Sequence, residues 1–212
     1  MCRELLSLVQ YRNKTLAEFQ EKMSRLKEGS RRWRRLLAAK IRKLKKLDRR
    51  IRQMEHILTK LFAELDEAEG VAFAGVGNLT ELRRSARTGM KGKKATQKIN
   101  QMAYDRLHAE QRYKNLMRGV QTDSWREKNT SSTCCFCGAR TPAWRKHRGL
   151  WMCGKWRLIF QADLNGAANL LKQYLFGSCI GWELPFAFGE PRVWRWDRRS
   201  SKFVQVSPRV AA

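Results

Sequence analysis

Carboxylates are scarce in this chain of 212 residues: 19 acidic residues stand against 45 basic ones, a formal net charge of +26. Like charges in a compact state repel one another, so such an excess points to a polyanionic partner. Nucleic acid fits better than an anionic membrane surface. Long apolar runs are also missing. No stretch approaches the roughly 20 residues needed to span a bilayer, which excludes a membrane-spanning helix. The opening "MCRELLSLVQYRNK" has no apolar h-region and no small-residue cleavage site. An intracellular, cytoplasmic protein is therefore expected. In that setting the six cysteines suggest metal ligands or free thiols before disulfides. There is no internal repeat.

What is present begins with helix. Leu5, Val9, Leu16, Phe19, Met23 and Leu26 recur at helical spacing and form one apolar stripe. "KEGS" interrupts it, with Gly29 as a stop and Ser30 as an N-cap. Leu44, Leu47, Ile51, Met54, Leu58, Leu61 and Leu65 then alternate steps of three and four, a heptad-like seam. Residues 1–69 thus read as an antiparallel helical hairpin. Its outer face carries Arg31, Arg32, Arg34, Arg35, Lys43, Lys45, Lys46, Arg49 and Arg50. A solvated coiled-coil surface is the bland explanation. The near-uniform sign leaves little for i,i+4 pairing to neutralise, which favours contact with phosphates.

The character changes at Gly70. "GVAFAGV" reads as a short buried strand. A basic loop follows over residues 83–94, with Lys91, Lys93 and Lys94 as further candidate phosphate contacts. A helix is expected over about 95–118, ending at Gly119, then a strand over 120–127. "ADLNGAANLLKQYLF" reads as a helix over 162–176, entered at or near Asp163. The tail from Gly177 holds Trp182, Trp194 and Trp196, and no role is read for it.

Between the last strand and helix lies "TCCFCGARTPAWRKHRGLWMCGKW". Cys134 and Cys137, two residues apart, make two corners of a tetrahedral zinc site, and Cys153 is a good third. The position of a fourth cysteine holds Trp156. His147 is the best substitute; Cys135 and Cys179 are others. The alternative is a knuckle held without metal by packing of Trp144, Trp151 and Trp156.

The order of these features resembles the C-terminal half of the transposon-encoded TnpB (insertion-sequence OrfB) proteins, relatives of the type V CRISPR effector nucleases. The residues that carry the resemblance are "VGNL" at a strand end, Tyr113–Lys114 in a helix, Glu127 before "TCCFCG", and "DLNGAANLL". It runs from about residue 1 to 172. It implies an α+β fold in which the basic hairpin is attached to a partial RuvC (RNase H-like) domain with an inserted zinc-knuckle segment. The divisions are 1–69 hairpin, 70–130 partial RuvC-like region, 131–157 knuckle, 158–176 last RuvC-like motif and helix, and 177–212 tail.

The resemblance also implies an RNA-guided DNA endonuclease whose three carboxylates hold magnesium, a hard cation that prefers oxygen ligands. The last acidic position falls on Asp163. The middle one is absent after the first strand, where the chain reads Gly77–Asn78, and falls instead on Glu127, as in relatives with a glutamate just before the knuckle. The mundane readings are a helix cap for Asp163 and a surface residue for Glu127. The first position, a D-x-G strand motif, does not occur in a strand setting anywhere in the chain. The expectation is a truncated TnpB-like protein that binds RNA and DNA and is inactive alone. The alternatives are the C-terminal part of a split enzyme, whose separately encoded N-terminal piece restores the magnesium site, a nuclease-dead RNA- or DNA-binding regulator, or a decayed fragment.

Overall fold

A computed structural model of the chain describes residues 3–78, 104–141, 144–147, 149–181 and 192–206. The expected loop cations Lys91, Lys93 and Lys94 lie outside the described residues. Helices and strands are mixed. Helix α1 (Arg3–Ser24) turns into α2 (Arg31–Ala68). Gly29 takes a left-handed φ of 76° at the turn, a region open to glycine without steric cost. The Ser30 side chain accepts a hydrogen bond from the Trp33 amide at 3.2 Å, capping α2 as expected. Leu5 and Val9 pack against Ile51 and Met54, and Arg12 bridges to Asp48 at 3.1 Å. No described helix is long and apolar enough to cross a membrane.

The leucine seam pairs with α1 only through the first part of α2. Further along, Glu55, Thr59 and Ala63 are buried at steps of four and face a third helix, α3 (Tyr104–Leu116). This contact is polar. Arg106 donates to Glu55 at 2.7 Å, Thr59 donates to Glu110 at 3.2 Å, and the Lys114 amine donates to Thr59 at 2.6 Å and to the His56 carbonyl at 2.8 Å. Burial holds the Lys114 pKa down, and the hydrogen bond to Glu55 raises that of Arg106. Buried polar groups need partners, and here each helix supplies them to the other.

Strand β1 (Phe73–Asn78) starts two to three residues later than the apolar run suggests and includes Gly77 and Asn78. It pairs in parallel with β2 (Gln121–Arg126), in register from Phe73↔Gln121 to Asn78↔Arg126. Parallel neighbours need a crossover, and α3 lies on it. Asn115 ties the layers together, its amide donating to Asp66 on α2 and to Thr122 on β2, each at 2.9 Å.

Only two strands were expected, but five more are present among the described residues. β3 (Arg145–His147), β4 (Leu150–Met152) and β5 (Ile159–Gln161) form an antiparallel sheet within the cysteine segment. β6 (Val193–Asp197) and β7 (Lys202–Val206) make a hairpin in the tail. Asp197 closes its turn by accepting from the Ser200 hydroxyl at 2.6 Å and from the Arg199 and Ser200 amides at 3.1 and 3.0 Å, and these bonds, the hydroxyl's first, hold its carboxyl below the usual range. The tail therefore has a place in the fold: Trp196 packs on the α1–α2 core, and Arg192 bridges to Glu69 at 2.7 Å. Helix α4 (Ala162–Phe176) lies against β1 and β2, where Tyr174 stacks on Phe73 with ring centres 4.3 Å apart.

Candidate metal centre and carboxylate positions

The three cysteines picked out by spacing converge. Cys134, Cys137 and Cys153 place their sulfurs within 4.8 Å of one another, the one group of three or more potential ligands among the described residues. The Cys137–Cys153 sulfur separation is 3.7 Å. Two thiolates on a tetrahedral zinc, each at about 2.3 Å, stand about 3.8 Å apart, so these sulfurs fit the ion. Tight turns make the approach possible. Gly138, at φ 68°, donates its amide to the Cys134 carbonyl at 2.9 Å, and the Trp156 amide donates to the Cys153 sulfur at 3.4 Å. Burial pushes the Cys137 thiol up to about 12. At Cys153 burial acts in the same direction, but the Trp156 amide and the two neighbouring sulfurs outweigh it and hold that thiol below its ordinary value.

Neither Cys135 nor Cys179 belongs to the group. Cys135 is fully buried, and burial pushes its thiol up to about 12. The Cys179 sulfur lies 3.8 Å from the Lys128 carbonyl. His147 ends β3, whose partner β4 leads directly into Cys153. The tryptophans divide. Trp151 is fully buried against the cysteines and Trp144 packs beside it, while Trp156 is 53% exposed with the Lys155 amine 5.1 Å from its ring centre. Aromatic packing and thiol clustering thus occur together.

Glu127 follows β2 immediately, and its carboxylate folds across the end of β1. A Cβ placed on Gly77 would stand 1.7 Å from a carboxylate oxygen of Glu127. The missing side chain of "VGN" is thus the space that Glu127 fills. The residue as a whole is exposed, but its carboxyl end lies over Gly77, and the partial burial there raises its pKa above the ordinary range.

From Glu127 the chain runs to the knuckle through residues 128–133, and α4 grips this passage. The Asn165 amide oxygen accepts the Cys135 amide at 2.8 Å, and its nitrogen donates to the Thr133 carbonyl at 2.8 Å. Asn169 donates to the Thr130 and Thr133 carbonyls at 2.9 and 2.6 Å. Lys172 donates to the Cys135 carbonyl, and Gln173 to that of Lys128. Asn165, Asn169 and Lys172 are fully buried and share one helix face. The asparagines of "DLNGAANLL", unassigned by sequence reasoning, therefore bind backbone and link the Glu127 strand to the cysteines.

Asp163 occupies the first turn of α4 and is exposed; the N-cap is Gln161, not Asp163. A carboxylate there is favoured by the helix dipole. No three acidic side chains converge within 4.8 Å among the described residues. Arg31, Arg32, Arg34, Arg35, Lys43, Lys45, Lys46, Arg49 and Arg50 are all exposed along α2.

A family model described as Cas12f1-like, TNB domain, matches residues 104–170, from the start of α3 through most of α4. Among solved structures, one titled "Cryo-EM structure of the Cas12f1-sgRNA-target DNA complex" is 22% identical at a TM-score of 0.48, over 73% of this chain and 41% of that one. The chain thus spans less than half the length of the structure it matches. No curated protein matches it. Over residues 104–170, about a third of its length, the chain is similar to the Cas12f1-like TNB domain.

Proposed function

We propose that this chain is an intracellular, TnpB-like protein that grips RNA or DNA phosphates along α2, holds zinc in its knuckle, and does not cut nucleic acid by itself. The observation that carries the reading is the charge on α2. Residues 31–50 hold eleven basic side chains and one acid, Asp48, which is already paired with Arg12. The nine exposed cations named above have no acidic counterpart in that stretch, and phosphates are the ligands that neutralise such a row. Zinc rests on the three converged thiols, with His147 as the fourth ligand. Bound there, zinc supplies cross-linking of the knuckle rather than chemistry.

Three measurements test the proposal. Binding of a labelled RNA or DNA oligomer weakens steeply as salt rises, and Arg31→Glu with Arg35→Glu reduces the slope by about two; a flat salt dependence rejects the phosphate grip. The purified chain carries one zinc, which Cys153→Ala removes and His147→Ala weakens. Magnesium-dependent cutting by the chain alone rejects the inactivity.

One observation favours a split enzyme as the second reading. The parallel pair β1–β2 has no further described strand on either edge, and two strands are a marginal sheet in water. A separately encoded N-terminal piece would extend that sheet and supply the third carboxylate for magnesium. Co-expression with a strand-bearing D-x-G polypeptide from the adjoining reading frame, followed by a cleavage assay, decides between the two.

A further inference from the structure

Away from the cysteines and carboxylates, a cavity of about 610 Å³ opens between α1, α2 and the tail hairpin. Its walls come from three regular surfaces. Glu4, Ser7, Leu8 and Tyr11 follow one face of α1; Arg50, Gln53, Met54 and Ile57 follow one face of α2; Trp196, Arg198 and Ser201 close it from the β6–β7 hairpin. The floor is apolar, because Leu8, Met54 and Trp196 belong to the packed core between the helices. Phe203 braces the Trp196 ring edge-to-face at 5.1 Å. The rim is polar and open: Ser7, Arg50, Gln53 and Arg198 are exposed, and the Tyr11 ring is 50% exposed.

We infer that this cavity receives one unpaired base of a single-stranded nucleic acid whose phosphates follow the cations of α2. The volume lies in the usual range for small-molecule sites, on the order of 300–1,000 Å³. Aromatic rings at floor and rim provide stacking surfaces, and Gln53 and Ser7 provide hydrogen-bonding groups. Two cations, Arg50 and Arg198, line the cavity and are exposed. Lys43, Lys46 and Arg50 share one face of α2 by their spacing and form a row leading to the cavity, with Arg198 opposite. The Lys43 amine lies 5.9 Å from the Tyr11 ring centre, joining row and pocket. A base within a duplex is already stacked and paired, so only an unpaired strand can present one.

The inference rests on the proposed nucleic-acid grip, and the test separates the two. The full chain is titrated by fluorescence anisotropy with a short single-stranded RNA, the same strand made abasic, and a duplex of equal length. The intact strand is expected to bind about tenfold more tightly than the abasic one, since a stacked base commonly contributes such a factor. Tyr11→Ala and Arg198→Ala, both at the rim, narrow that difference, while Trp196→Phe, which keeps an aromatic ring, preserves most of it. An iodouridine-bearing strand is expected to photocrosslink to peptides containing Tyr11 or Trp196. Equal affinity for intact and abasic strands, or crosslinks confined to other segments, overturns the base pocket and leaves the phosphate grip standing. Absence of salt-sensitive binding to any of the three probes overturns both.

Discussion

Glu127 shows how a carboxylate can occupy the space that a glycine leaves open. Its carboxylate lies on Gly77, and burial disfavours its charged form. The folded chain therefore holds that proton more tightly than the unfolded one does. The associated stability is fully present below the ordinary value of 4.5 and is lost as pH rises through the higher folded value. Glu127→Gln removes the charge and with it the loss. In metal-free buffer the variant is expected to melt above the parent near neutral pH, with the gap closing under acidic conditions. Thermal melts across pH check this, and a gap independent of pH would show that burial of the charge is not the cause. Gly77→Ala pushes the carboxylate off the strand, so in that background the Glu127→Gln gap near neutral pH should shrink.

Helix α4 acts as a clamp, and its two asparagines do not contribute equally. Both donate to the Thr130 and Thr133 carbonyls, but only Asn165 also accepts the Cys135 amide. Asn165→Ala leaves that buried amide unpaired at a cost on the order of 3 kcal/mol, or roughly 6–12 °C in melting temperature for a chain of this size. Asn169→Ala should cost less, because Asn165 still serves both carbonyls. Scanning calorimetry on the two variants ranks them, and the opposite order would refute the clamp. The extent of α4 was legible in sequence, because good helix formers run up to Gly177, which takes a left-handed φ of 70°. The buried stripe was not, since Asn165, Asn169 and Lys172 resemble a solvated face until a loop backbone is laid against them. Glu55 and Thr59 on α2 were hidden for the same reason. Spacing alone brought out the cysteine triad, as local turns bring those sulfurs together. The tail hairpin escaped notice, although Asp197 followed by Arg198, Arg199 and Ser200 carries a turn signal.

At the scale of the whole molecule, charge sets stability and binding in opposite directions. A net charge of +26 is held in a fold whose described acids are largely committed: Asp48 to Arg12, Glu55 to Arg106, Glu67 to Arg118 and Glu69 to Arg192. The cations of α2 therefore repel one another in the free chain. Added salt shortens the screening length from about 10 Å at 0.1 M to about 3 Å at 1 M, and should raise the melting temperature of the free protein. The same salt competes with phosphates and should lower its affinity for RNA. A single-stranded oligomer at low salt should raise the melting temperature further than salt alone, because it neutralises the row along α2 and binds only the folded state. Differential scanning fluorimetry with and without oligomer, at matched ionic strengths, measures both trends. If salt lowers the melting temperature of the free chain, self-repulsion is not what limits it. The unpaired cations of α2 would then already be balanced within the fold, and the case for a phosphate partner would lose its electrostatic basis.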